Sequence, residues 1–113
     1  MVQLDGVMEM TDKELIELAA KAAGLHVKVS SNSGIGLKVH GNCNWWNPLT
    51  DDGDALRLAV KMGIYVHCRA GSMVTSAIGD GDEWVIENWS NDPTSATRRA
   101  ITRAAAQIGK EMK

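Results

Sequence analysis

Hydrophobic and polar residues recur with two different periods along this chain of 113 residues. Three segments repeat apolar residues at helical spacing, which is typical of helices with one buried face: 12–23, 52–62 and 93–111. Five segments have the shorter apolar runs of strands: 25–29, 35–40, 64–69, 73–78 and 84–89. The pattern predicts an α+β fold in the order α-β-β-α-β-β-β-α, with a mainly antiparallel sheet covered by helices and segment 41–48 irregular.

Capping signals define the ends of the first two predicted helices. Thr11 followed by Glu14 forms a capping box before the first helix, and Gly24 can adopt the left-handed conformation that ends it. Either Thr50 or Asp51 caps the second helix, which stops at Gly63.

The third predicted helix begins after Asp92, with Pro93 in its first turn, where a missing N–H costs little. Spacing also predicts which sides are buried. We expect these residues to face the core: Leu15, Leu18, Ala19 and Ala22; Leu56, Ala59 and Val60; Ala96, Ala100, Ile101, Ala104, Ala105 and Ile108. On the last strand, Trp84 and Ile86 share the side predicted to be buried.

Composition narrows the class of protein. Hydrophobic residues make up 44% of the chain, although phenylalanine is absent, and we therefore predict one globular domain over residues 1–113. The net charge of −2 gives no global attraction to nucleic acid. No apolar run approaches the roughly 20 residues that span a membrane, and the first ten residues do not resemble a signal peptide. These features predict a cytoplasmic protein whose Cys43 and Cys68 are reduced thiols, although a disulfide between them is geometrically feasible.

Histidine and cysteine residues raise the question of a metal or catalytic site. The pairs His40/Cys43 and His67/Cys68 supply four ligands of zinc type, but adjacent residues on a strand point to opposite faces. A Cys–His nucleophile pair lacks a third, orienting group. We therefore favour a partly buried Cys68 with surface histidines, and predict no catalytic residue, metal or cofactor. The chain is not expected to be an enzyme.

Three blocks of sequence resemble one family. They are Met10-Thr11-Asp12-Lys13-Glu14-Leu15 with Ala22-Ala23-Gly24, Trp46-Asn47-Pro48-Leu49-Thr50-Asp51-Asp52-Gly53-Asp54-Ala55-Leu56-Arg57-Leu58-Ala59-Val60, and Asp92-Pro93 with Ala96-Thr97-Arg98-Arg99-Ala100-Ile101 and Ala104-Ala105-Ala106-Gln107-Ile108-Gly109. Together they resemble the small phage and prophage proteins of the phage ABA sandwich domain family. The resemblance implies an α/β/α sandwich, a phage or prophage origin and a location in the host bacterial cytoplasm, and it carries no catalytic motif.

Two groups of residues are candidates for an interaction surface. Trp45 and Trp46 are adjacent, so one can fill the core while the other forms an exposed contact, or both can pack beneath the loop. Arg98, Arg99 and Arg103 make the last helix basic, and either contact phosphate or form a solvated helix face. The slightly acidic chain favours the solvated face.

The sequence therefore predicts a non-catalytic phage accessory protein that binds a macromolecule, with protein favoured over nucleic acid. The alternative is a nucleic-acid-binding module that uses the arginines of the last helix. A small Cys/His metal-dependent protein is a weaker alternative, and self-association into a homo-oligomer is compatible with each of these functions.

Overall fold

The structure is a computed structural model that describes residues 10–25, 27–29, 37–39, 45–79, 83–90 and 92–112. For residues 27–29, 37–39 and 45, the description covers the backbone only. The elements are α1 (Asp12–Ala23), β1 (Val27–Val29), β2 (Leu37–Val39), β3 (Trp45–Trp46), α2 (Asp52–Met62), β4 (Tyr65–Arg69), β5 (Val74–Ile78), β6 (Val85–Asn88) and α3 (Pro93–Glu111). The predicted α+β class is confirmed, as are the bounds of the three helices.

The ends of α1 form as the capping signals predict. The Glu14 N–H donates to the Thr11 hydroxyl at 3.2 Å, and the Glu14 carboxylate accepts the Thr11 N–H at 2.9 Å. Gly24 ends the helix in the left-handed region with φ 73°. Before the cap, Met10 packs against the buried Leu15, which fixes how the chain enters the helix.

The other helices also begin at aspartate caps. Asp51, rather than Thr50, caps α2, since its carboxylate accepts the Asp54 N–H at 2.8 Å. Asp92 caps α3 by accepting the Ser95 N–H at 3.1 Å. These carboxylates also lie at the positive ends of the helix dipoles.

The strands form two antiparallel sheets of three strands each, ordered β1-β2-β3 and β4-β5-β6. The first sheet includes one strand more than predicted. Trp45 and Trp46 pair with Lys38 and Leu37 at a position predicted to be irregular. In the second sheet, three of the predicted strands form an antiparallel meander with β5 in its centre. The sequence Gly79-Asp80-Gly81-Asp82 predicts a hairpin turn between β5 and β6, and residues 80–82 lie outside the described residues.

Helix α3 lies in the middle of the molecule. The seven consecutive residues from Ala100 to Ala106 are all buried, so every side of the helix is covered along this stretch. Helices α1 and α2 pack against α3, and so do strands β5 and β6. The predicted buried residues of α3 are confirmed except for Ile108, which is half-buried. Because most of them are alanines, neighbouring backbones approach α3 closely.

Two predicted buried sides are wrong. On α2, Leu56 and Val60 are exposed, and the helix instead buries a side that consists of Asp54, Ala55, Leu58 and Ala59. On β6, Val85 and Glu87 face the core side, whereas Trp84 and Ile86 face outward. In both cases the buried side includes an acidic residue whose carboxylate has partners inside the protein. Asp54 accepts hydrogen bonds on α2, and Glu87 pairs with an arginine of α3 on β6.

Candidate interaction surfaces

The outer face of the second sheet carries exposed apolar side chains that packing among the described residues does not explain. Side chains alternate along β5, where Thr75 and Ala77 are buried while their neighbours are only half-buried. Helix α3 covers this inner side. The opposite side, which we call the outer face, contains Tyr65, His67, Arg69, Val74, Ser76, Ile78, Trp84, Ile86 and Asn88.

Large apolar side chains are exposed on this outer face. Tyr65 is 56% exposed, Trp84 47% and Ile86 58%. The Tyr65 and Trp84 rings meet edge to face, with centroids 5.7 Å apart and planes at 86°. The His67 ring also meets Tyr65 edge to face, with ring centroids 6.2 Å apart. Such a cluster of aromatic and aliphatic groups on a rigid sheet is typical of protein contact surfaces.

Sequence reasoning missed this surface because it assigned Trp84 and Ile86 to the core. The alternation itself was informative, since it separates Trp84 and Ile86 from Val85 and Glu87. Only the choice of side was wrong. Tyr65, His67 and Arg69 occupy alternate positions on β4 and so share a face, which is a signal that the sequence does contain.

Trp46 is a core residue. It is only 7% exposed and belongs to the main buried cluster with Leu49 and Leu58. Trp45 pairs with Lys38 through its backbone, and its side chain lies outside the described residues. The structure thus assigns one of the two adjacent tryptophans to packing.

The segment after Trp46 is a buried turn tied to the start of α2. The Asn47 N–H donates to the Asp54 carboxylate at 2.9 Å, and the Asn47 side-chain oxygen accepts the Leu49 N–H at 2.9 Å. Arg57 donates to the same Asp54 carboxylate at 2.8 Å. These bonds satisfy the polar groups of a buried loop, which is a structural role for the most distinctive motif of the sequence.

Arg98 also belongs to this turn. Its Nε donates to the Leu49 carbonyl oxygen at 2.8 Å, and its Nη1 lies 2.6 Å from an Asp52 carboxylate oxygen. The Arg98 side chain is 18% exposed. It therefore joins α3 to the start of α2 and is not displayed to solvent.

Arg99 and Arg103 share a face, as predicted, and acidic side chains of two other elements lie against that face. Both side chains reach Glu87 on β6, and Arg99 also pairs with Asp12 at the start of α1, at 2.9 Å. Arg103 is only 4% exposed. The prediction of a solvated basic face is wrong for Arg103, because its side chain is buried and its guanidinium group pairs with Glu87.

The described cysteine and histidine do not form a metal site. Cys68 is exposed, contrary to the predicted partial burial, and its Sγ lies 3.8 Å from the hydroxyls of Thr75 and Thr97. These two hydroxyls are 2.8 Å apart, and the Trp89 indole N–H donates to Thr75 at 2.8 Å. Among the described residues, no three His, Cys, Asp or Glu side chains are placed to hold a metal ion. His40, Cys43 and a bond from Cys43 to Cys68 fall outside that part of the chain.

Comparison with known proteins adds no functional assignment: no protein-family model, curated protein or solved structure matches this chain. The resemblance to the phage ABA sandwich domain family stays a prediction from the sequence. Within the described residues, no helix combines the length and apolar character needed to cross a membrane.

Proposed function

We propose that this chain is a non-catalytic binding domain that contacts another protein through the outer face of its second sheet, in a phage or prophage accessory role. The observation that supports it is the exposed cluster of Tyr65, Trp84 and Ile86 on one side of a regular sheet. Covering these side chains with a partner removes apolar area from water at little conformational cost, because the strands already hold them in place.

A protein partner fits this face better than a nucleic acid does. Ile86 and Ile78 extend the aromatic pair with aliphatic surface, which favours an apolar contact over base stacking. The three arginines that the nucleic-acid alternative requires are paired with Asp52, Asp12 and Glu87. Releasing them for phosphate would break contacts that hold α3 against its neighbours.

Affinity capture with matched variants tests the proposal. Trp84→Ala and Ile86→Ala remove apolar contacts from the outer face, while Val60→Ala removes a comparably exposed aliphatic side chain from α2. We expect a stoichiometric protein partner to be retained by the wild type and by Val60→Ala and to be lost with the two sheet variants. Capture should be repeated in phage-infected host cells, where an infection-specific partner is present.

Two outcomes contradict the proposal. Retention of the partner by both sheet variants means that the outer face is not the contact. Loss of the captured material on nuclease treatment, together with binding that weakens steeply with added salt, supports the nucleic-acid alternative instead.

A further inference from the structure

Strand β4 is an exposed edge of the second sheet. Within the part of the chain that the structure describes, β4 pairs only with β5. Four of its five residues are exposed, and the fifth, Val66, is half-buried. An edge strand leaves a row of backbone N–H and C=O groups unpaired by the sheet, and it is a template for another strand.

The helical cover of this sheet also stops short of β4. Helix α3 packs mainly on β5 and β6 and touches β4 only lightly. As a result Cys68, on the inner side of β4, is exposed at the rim of α3, although its thiol reaches the Thr97 hydroxyl. Both the edge and the inner side of β4 therefore have room for a further layer of structure.

We propose that β4 pairs with β4 of a second copy of this chain, joining the two meanders into one continuous six-stranded antiparallel sheet. The inference does not depend on the proposed function. A two-fold axis through His67 pairs all five residues of the strand, whereas any other register leaves some of them unpaired. In this register Tyr65 faces Arg69 of the other copy, and Val66 faces Cys68.

The strand is chemically complementary to itself in this register. Tyr65 and Arg69 both lie on the outer face, so each Tyr65 ring lies beside the guanidinium of the other copy's Arg69, and this pair occurs twice. On the inner side, Val66 and Cys68 form two apolar pairs between the two α3 helices. A second copy thus matches the ring, the charge and the apolar groups of β4, which favours it over an unrelated peptide.

Two substitutions that introduce opposite charges at position 65 test the pairing. Tyr65→Glu and Tyr65→Lys both remove an exposed ring and its contact with Trp84. In the dimer, the glutamate faces Arg69 favourably, whereas the lysine faces it with like charge. By light scattering and sedimentation we expect a dimer for the wild type and for Tyr65→Glu. The dissociation constant of the Tyr65→Lys dimer should be at least about tenfold higher than that of the Tyr65→Glu dimer, because the altered pair occurs twice. Adding Arg69→Glu to Tyr65→Lys should restore the dimer.

A wild type that stays monomeric at high concentration overturns the proposal. This holds even if β4 then proves to bind an extended peptide of another protein. Equal behaviour of the two variants, whether both dimeric or both monomeric, also contradicts this register. These results leave the proposed contact through Trp84 and Ile86 to be judged by its own capture experiment.

Cross-linking tests the register directly. His67→Cys, in a chain with Cys43 changed to serine and Cys68 to alanine, which keeps the inner pair apolar, places two thiols across the two-fold axis. The Cα atoms of directly opposed residues are about 4.5–5.5 Å apart there. Mild oxidation should give a disulfide-linked dimer. Ser72→Cys in the same background is the control, because it is exposed but lies beyond the end of β4. Failure of His67→Cys to cross-link, or equal cross-linking of the control, contradicts the pairing.

Discussion

Gly109 of α3 lies directly against the backbone carbonyl of Leu18 in α1, so that a β-carbon at position 109 would overlap the carbonyl oxygen. Glycine inside a helix is otherwise unfavourable by about 1 kcal/mol relative to alanine. Here the absence of a side chain allows the two helices to approach each other closely. The obstacle is backbone, which cannot rotate away as the end of a side chain can.

Gly109→Ala should therefore lower the free energy of unfolding by about 3 kcal/mol, since the added methyl forces the helices apart. Chemical denaturation followed by circular dichroism measures the change. Gly53→Ala in α2 is the matched control, because the atoms nearest to its β-carbon would belong to side chains, the Arg57 guanidinium at 3.0 Å and an Asp51 carboxylate oxygen at 3.2 Å. We expect Gly53→Ala to leave stability unchanged or to raise it by up to about 1 kcal/mol. Equal effects at both sites would contradict the close approach of α1 and α3.

Glu87→Gln tests the ion pair beneath β6. Removing this carboxylate breaks the ion pair with the 4%-exposed Arg103, and breaking a buried pair in this way costs about 3–5 kcal/mol. Urea denaturation should show a loss of that size. Glu83→Gln, four positions earlier and exposed, should change stability by less than about 0.5 kcal/mol. A small effect at position 87 would mean that the pair contributes little.

The capping box makes the stability of α1 depend on pH. Hydrogen bonds from the Thr11 N–H and hydroxyl lower the pKa of Glu14 below its ordinary value. A lowered folded-state pKa means that the carboxylate stabilises the fold above its unfolded pKa, and that this contribution is lost as the pH falls through the folded pKa. The stability difference between wild type and Glu14→Gln should thus be present at neutral pH and shrink in acid.

Denaturation of both proteins across the acid range measures this difference, and NMR titration of the Glu14 carboxyl gives the pKa itself. In Thr11→Ala, which removes the hydroxyl, the pKa should move back toward the ordinary carboxyl value. An unchanged pKa in that variant would show that the hydroxyl does not contribute.

Trp46 and Trp84 should respond differently to the same substitution. Trp46→Ala empties a core position and should cost about 3–5 kcal/mol, whereas Trp84→Ala removes a side chain that is 47% exposed and should cost less than about 1 kcal/mol. Thermal or chemical unfolding separates the two. A large loss at Trp84 would indicate a structural role for the outer face rather than a binding role.

Local signals predicted the helices of this protein well. Each helix starts at a side chain that accepts a backbone N–H, and α1 and α2 end at glycines with positive φ, so their bounds depend on residues close in sequence. Short apolar runs in the sequence likewise located every strand except β3. That strand exists because Trp45 and Trp46 pair with β2, a contact that local periodicity does not report.

Burial was harder to predict where charged residues pair inside the protein. The pattern on β6 assigns Glu87 to solvent, but Arg103 compensates its charge and reverses the buried side. On α2, Asp54 is buried because it accepts the Asn47 N–H and the Arg57 guanidinium. Because Glu87 pairs with Arg103 on the inner side of β6, Trp84 and Ile86 face outward. The side of β6 that carries the candidate surface could therefore not be predicted without knowing that Glu87 and Arg103 form this pair.

The central place of α3 has a consequence for synthesis on the ribosome. Asp12 and Arg99, which join α1 to α3, are separated by 87 positions in the chain, and helix α2 and strands β5 and β6 also pack against α3. While the ribosome is still adding the residues of α3, these elements lack the helix that covers their apolar sides. Until α3 has left the exit tunnel, the nascent chain therefore exposes apolar segments to which a chaperone can bind.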